Sequence, residues 1–306
     1  MAVTLVGGVE TGGSWCVCAV GSCAGEIVAR QRLATTSPEE TLAAIIDFFK
    51  QAPPVARIGV GSFGPVDLDP RSPTWGYVMA TPKPGWEHAS VARGLEQALD
   101  VKVSFDTDVA AAAIGERRWG AGRGTGSLAY MTVGTGIGVG LLLGQEPWHG
   151  ISHPEVGHVR VPHDRARDPF AGTCPYHGDC LEGLACGPAL AARWGRPAEQ
   201  LQADHPAWEL EAEYLAAGLA NLVFTVAPER IILGGGVLAA PGLLALVRAR
   251  LEALLGGYIQ SPLLAPGLER YLVAPALGDD AGVLGAIALA CQHGEPENRS
   301  APGLTR

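Results

Sequence analysis

Residues 153–182 read HPEVGHVRVPHDRARDPFAGTCPYHGDCLE and hold the densest set of side chains able to do chemistry. Four soft donors, His163, Cys174, His177 and Cys180, fall inside this segment, the last three spaced Cys-x2-His-x2-Cys. A chain in a tight turn can wrap donors at that spacing around one tetrahedral zinc ion. With four protein ligands no coordination position stays open, so such a metal is structural. His158 or His153 could take the place of His163, and spacing alone does not choose between them. Glu155, His158 and Glu182 flank the donors, and each can hydrogen-bond a hydroxyl group. The pattern predicts a zinc-stapled loop that presents polar groups to a polyhydroxy substrate.

A second set of residues suits phosphate. Glu10, Gly12, Gly13 and Ser14 lie in a turn between two apolar runs. Successive N–H groups in such a turn can surround phosphate oxygens, with the Ser14 hydroxyl adding to them. Glu10 could hold Mg2+ through water. An ordinary hairpin is the competing reading. Thr135, Gly136 and Gly138, in the stretch GTGIG, occupy the matching place further on. Facing each other across a cleft, two such turns would clamp the phosphates of one nucleotide. Gly234, Gly235 and Gly236 follow an apolar strand pattern, where backbone can pass close to a flat ring or a ribose. None of the three is a Walker sequence or a dinucleotide fingerprint.

Asp106-Thr107-Asp108 ends a strand just before an Ala-rich helical pattern. Helix capping is one reading. The other makes Asp108 a general base that accepts the proton of a sugar hydroxyl as it attacks phosphorus. The helix N-terminus favours a negative charge, which predicts an ionised Asp108 at neutral pH.

The elements that must position these groups repeat. Strands at about 3–6, 15–20 and 27–33 precede a helix from Ser37 to about Gln51, with Pro38 at its first position. A strand at 58–60, a long Gly- and Pro-rich loop at 61–86, a helix at 89–99, a strand at 101–105 and a helix at 109–119 follow. Loops that long inside a compact domain are usually functional. The order then begins again, with strands at 127–133 and 137–143 and a short third near Pro147. Helices at 181–194 and 209–226, a strand at 230–233, a helix at 243–255, a strand at 271–273 and a helix from 281 complete it. Residues 294–306 read as a frayed tail. The division expected is an α/β domain over 1–118, a second over 119–280 carrying the zinc insertion 153–182, and a helix 281–293 that packs back on the first. A cleft between two such halves is a common ligand site.

The totals bound the function. The chain has 306 residues, 47% hydrophobic and 17% charged, enough for two cores. Its formal net charge is −9 with no block of Lys or Arg, which argues against nucleic acid and anionic membrane as partners. No run of apolar residues is long enough for a spanning helix, and the first residues run straight into a strand pattern rather than a signal peptide. Seven cysteines, of which Cys16, Cys18, Cys23, Cys186 and Cys291 lie outside the metal pattern, read as buried free thiols in a reducing cytoplasm.

Taken together these motifs resemble the ROK sugar kinases, most closely their fructokinase branch. The resemblance rests on GGVETGGS at 7–14, GSFGPVDLDPRSPTWGY at 61–77, TPKPGW at 81–86, FDTDVAAAAIGE at 105–116, VGTGIGVG at 133–140, HPEVGH at 153–158 and CPYHGDCLEGLACGPA at 174–189. It implies an actin-like, ribonuclease-H-like fold of two domains around a central cleft, with ATP in the cleft. It implies Asp108 as base, and Glu155, His158 and Glu182 as sugar contacts joined by Thr107, Gly64 and Pro65. It also implies a structural Zn2+, Mg2+ with the nucleotide, and a homodimer. Two positions depart from the branch. Ser14-Trp15 stands where Thr-Lys follows the glycines, and Thr107 replaces the Asn before the base. The expected reaction is phosphorylation of D-fructose at its 6-hydroxyl. Mannose or another hexose, a sugar-responsive regulator and a non-catalytic sugar-binding module are the alternatives. A regulator would need a DNA-binding segment ahead of the first strand.

Overall fold

The computed structural model describes residues 3–144 and 146–292. The tail expected over 294–306 lies outside them. The first sheet contains β1 (Leu5–Thr11), β2 (Trp15–Ser22), β3 (Ile27–Ala34), β4 (Arg57–Ser62) and β5 (Lys102–Thr107) in the order β3-β2-β1-β4-β5. The first three strands pair antiparallel, and β4 and β5 add in parallel. Parallel neighbours need crossovers, supplied by α1 (Pro38–Gln51) and α2 (Val91–Leu99).

The second sheet repeats that topology. It contains β6 (Ser127–Val133), β7 (Ile137–Leu143), β8 (Glu146–Pro147), β9 (Arg230–Gly234) and β10 (Leu272–Val273) in the order β10-β9-β6-β7-β8. Again the first three strands are antiparallel and the last two parallel. Its crossovers are α6 (Ala207–Val226) and α7 (Leu243–Leu255). Each sheet has its own apolar core, one around Val9, Ile45 and Trp86, the other around Met131, Leu184 and Leu215.

Between the sheets α3 (Asp108–Trp119) and α8 (Ala281–Gln292) pack on each other. The helices lie across the division: α3 follows β5 yet packs chiefly on β6 and β7, while α8 packs on β1 and β4. Only glycine permits so close an approach. A Cβ on Gly285 of α8 would overlap the Ala111 carbonyl of α3, and one on Gly59 of β4 would overlap the Ala286 carbonyl.

Two local differences from the sequence reading have plain causes. The helix expected over 181–194 is broken into α4 (Leu181–Ala185) and α5 (Gly187–Trp194), because Cys186 is extended and Pro188 carries no N–H for the turn before it. Cys23 and Cys291 form a disulfide, not free thiols, and tie the turn after β2 to the last turn of α8. Cys16, Cys18 and Cys186 are unpaired and buried.

Candidate active site and metal centre

The β1–β2 and β6–β7 turns face each other. A Cβ built on Gly13 would lie 4.0 Å from the Thr135 side chain. The Ser14 and Thr135 side chains are exposed. Gly12 N–H donates to the Trp15 carbonyl at 2.9 Å and Gly134 N–H to the Gly136 carbonyl at 2.9 Å, so each turn is closed by its own backbone. Gly235 has φ 97°, and a side chain there would overlap Val133. A cavity of about 570 Å³ opens beside these turns, lined by Glu10, Asp108, Tyr130, Gly234, Gly235, Gly236 and Asp279 among others. Gly138 is placed differently from the expected phosphate contact. It lies under the first turn of α3, where a Cβ would meet Val109 at 2.9 Å.

Asp108 is the first residue of α3, and its Oδ1 accepts the Val109 N–H at 2.8 Å. The cap is Thr107, whose Oγ1 accepts the Ala110 N–H at 3.1 Å from a buried position. The Thr107 hydroxyl, expected among the sugar contacts, is therefore engaged by the helix. Burial pushes the Asp108 carboxyl up to about 7, so the ionisation expected from the helix N-terminus is outweighed by desolvation. Glu10 is pushed up to about 7 by burial and then by the Asp108 charge. Glu155 reaches about 7 through burial and the charges of Glu182 and Asp108. The Asp108 charge thus acts on Glu10 and on Glu155. A base whose pKa lies near the working pH accepts protons most effectively.

A chain of contacts runs from the long loop after β4 to the metal donors. Val66 N–H donates to His153 Nε2 at 3.1 Å, which sets the Gly64-Pro65 turn against the His153 ring. His153 Nδ1 lies 3.3 Å from Glu155 Oε1, and His158 Nε2 lies 4.0 Å from Glu155 Oε2. On the other side Glu182 Oε2 accepts the Ile137 N–H at 2.9 Å, which joins α4 to the second glycine turn.

His158, Cys174, His177 and Cys180 come together, their ligand atoms all within 4.8 Å of one another. Three sulfur-to-Nδ1 separations are 3.7, 3.6 and 3.6 Å. Tetrahedral zinc with bonds of about 2.3 Å to sulfur and about 2.0–2.1 Å to nitrogen places neighbouring S and N atoms about 3.6 Å apart. The donor set and its spacing fit that ion. The fourth donor is His158, which corrects the expectation of His163. Arg160 pairs with Cys180 in a short bridge, and Leu181 N–H donates to the Val159 carbonyl at 3.0 Å. This register sets the turn containing His158 directly beside Cys180. His163 lies further along and is buried against Asp179 Oδ2 at 3.1 Å and the Asp168 carbonyl at 2.9 Å. Asp179 precedes Cys180, so His163 braces the loop from behind.

Sequence reasoning missed some neighbours of the site. His149, in the segment after β8, bonds Asp106 Oδ1 at 3.1 Å and bridges the two edge strands. No spacing announces it, because the partners belong to different sheets. Lys83 Nζ donates to the Gly13 carbonyl at 2.5 Å. Its signal was available, since it is the one cation of the TPKPGW stretch.

Comparison with known proteins gives the family of the chain. The chain is 42% identical over 294 residues to a fructokinase of Zymomonas mobilis subsp. mobilis, covering 94% of this chain and 96% of the relative. It is 40% identical over 285 residues to a fructokinase of Lactococcus lactis subsp. cremoris, covering 93% and 96%. Its structure is similar to that of a ROK family glucokinase from Streptomyces griseus in complex with glucose and AMPPNP, with a TM-score of 0.75, 28% identity, and coverage of 95% and 100%. Residues 6–293 match the ROK family, and the chain belongs to it.

Proposed function

We propose that this protein transfers the γ-phosphoryl group of ATP to the 6-hydroxyl of D-fructose, giving fructose 6-phosphate. The observation that supports the reaction is Asp108, whose carboxyl burial pushes up to about 7 and whose charge acts on Glu10 on one side and Glu155 on the other. Asp108 takes the hydroxyl proton as oxygen attacks phosphorus. Gly64, Pro65, Glu155, His158 and Glu182 surround the sugar. Glu10, Gly12, Gly13, Ser14, Thr135, Gly136, Gly235 and Gly236 surround the nucleotide. Fructose as substrate is supported by the fructokinases at 42% and 40% identity.

Two ions belong to this reading. Zn2+ would be held by His158, Cys174, His177 and Cys180 and would order the loop without entering the chemistry. Mg2+ would be held through water from Glu10 and would offset phosphate charge. His158 links the two roles. Its Nδ1 faces the sulfurs, and its Nε2 is left for Glu155 and the sugar.

A cytoplasmic homodimer fits the family resemblance. The five unpaired cysteines suit a reducing compartment, against the one disulfide. Among the described residues no helix is long and apolar enough to cross a membrane. The test of the activity is ADP release, measured enzymatically against a panel of fructose, mannose, glucose and their N-acetyl amines. Fastest turnover on fructose is expected. Turnover on none of them would refute the kinase, and a preference for mannose would move the substrate within the class.

A further inference from the structure

The charges lining the cleft do not match a polyanionic substrate. Glu10, Asp108 and Asp279 face the cavity, against the guanidiniums of Arg30 and Arg32. Arg30 is engaged by Asp280 at 2.8 Å. Arg32 lies with its guanidinium carbon 4.3 Å from the centre of the Trp15 ring. Neither bonds a glycine turn. Among the described residues Lys83 is the one cation hydrogen-bonded to either turn, through the Gly13 carbonyl.

The placement of Lys83 is built rather than incidental. Trp86, three residues on, is fully buried and donates its indole N–H to the Thr36 carbonyl at 2.8 Å. Phe63 packs edge-on against Trp86 with ring centres 5.0 Å apart, and Lys83 Nζ lies 6.0 Å from the Phe63 ring centre. The end of the long loop is thereby pinned, and the lysine stem reaches the first turn at the residue that faces Thr135. A lysine serving only as a tie would be expected to end on a carboxylate. This one ends on a single carbonyl, a weak partner for three N–H donors.

We propose that Lys83 is a catalytic residue, which exchanges the Gly13 carbonyl for an oxygen of the transferring phosphoryl group. The inference rests on the phosphotransferase reading above. In the step, the sugar hydroxyl oxygen bonds to the γ-phosphorus. The bond from that phosphorus to the β–γ bridging oxygen breaks, and its electron pair stays on ADP. The hydroxyl proton passes to Asp108. Lys83 keeps its protons throughout and supplies only charge, where negative charge spreads over the equatorial oxygens. A positioned donor of this kind is worth about 10²–10³-fold in turnover.

The experiment compares wild type, Lys83→Met and Lys83→Arg. Turnover is measured by ADP release, ADP and fructose affinity by calorimetry, and folding by thermal unfolding. A further titration uses ADP with aluminium fluoride, which mimics the phosphoryl group in flight. Lys83→Met should lose about 10²–10³-fold in kcat while binding fructose and ADP as wild type does. It should also lose the extra affinity that aluminium fluoride confers on ADP, and Lys83→Arg should recover part of both. A Lys83→Met enzyme turning over within about threefold of wild type, well short of a positioned donor's contribution, overturns the inference and leaves the kinase reading standing. Loss of ADP affinity together with a lowered melting temperature also overturns it, making Lys83 a tie for the turn. Wild-type protein that releases no ADP with any hexose overturns both readings.

Discussion

The glycine turns hang from strands that are hydrogen-bonded along their whole length, whereas the loop between β8 and α4 hangs mainly from polar side chains. β1 is paired on both sides, to β2 and β4, and β6 likewise to β7 and β9. Strand pairing fixes the Gly12 and Gly136 backbones without help from a ligand. Between residues 162 and 179, by contrast, Cys174 is the one buried apolar side chain among the described residues. That stretch is held by Arg160 and Arg165 on Asp179, at 2.6 and 2.7 Å, and by Tyr214 on Asp168 at 2.6 Å. Exposed ion pairs contribute little on their own. A metal bound by His158, Cys174, His177 and Cys180 would therefore carry most of the ordering in this half. On the proposed reading, the cleft has one wall that is rigid by topology and one that a bound ion would order.

The largest effect is expected on the rigid wall. Asp108→Asn keeps shape and removes basicity, and should cost about 10²–10⁴-fold in turnover with fructose affinity and metal content unchanged. The wild-type pH profile checks the same group. Its carboxyl is pushed up to about 7, and only the ionised form accepts a proton. Turnover should thus be full above that value and fall about tenfold per unit below it. Near-normal turnover of the Asn enzyme would transfer the role to Asp106. A profile flat from pH 5 to 8 would mean that Asp108 is not raised.

Next in size is removal of the metal. Cys180→Ser should abolish zinc binding and lower fructose affinity by at least about tenfold, since the loop carrying His158 loses its closure. ATP affinity should change little, because its turns belong to paired strands. Elemental analysis with paired calorimetric titrations of fructose and ATP reads both. A zinc-free variant that binds fructose normally would break the comparison, and equal losses for both ligands would show that the walls are not independent.

The duplicated element order and the three glycine turns were legible in the sequence, because they depend on local periodicity and on residues with one conformational purpose. The Cys-x2-His-x2-Cys turn was legible for the same reason. The fourth donor was not. It depends on the register that sets Arg160 beside Cys180, which no local pattern encodes. The raised proton affinity of Asp108 is not legible in the sequence, because the helix end is visible there while the desolvating walls belong to distant segments. The pairing of Cys23 with Cys291 spans a separation of 268 residues and follows from α8 returning to the first sheet.

A smaller perturbation separates a ligand from its brace. His163 touches Asp179 rather than the donor cluster, so His163→Ala should leave all four donors in place and loosen the turn that presents Cys180. Groups behind metal ligands typically contribute 10–100-fold to affinity, and the low end, roughly tenfold, is expected because Arg160 and Arg165 also hold Asp179. Competition with a chromophoric chelator measures this. Complete loss of metal would restore His163 as a ligand, and no change would leave the buried imidazole without a part in the loop.

The smallest effect tests the boundary between the walls, at Thr107. If its hydroxyl serves α3 alone, Thr107→Ala should cost about 1 kcal/mol of stability, the usual loss for a removed N-cap. Fructose affinity should stay within about twofold, since Oγ1 is committed to the Ala110 N–H and the residue is buried. Thr107→Ser keeps the cap oxygen, so it should recover most of the stability. Denaturant unfolding and fructose titration of the two variants give the answer together. A sugar affinity that drops tenfold in Thr107→Ala and returns in Thr107→Ser would make the hydroxyl a sugar contact as well as a cap. The rigid wall would then reach the substrate directly. An unchanged affinity with the expected loss of stability leaves that contact to Asp108 and to the loop carrying His158.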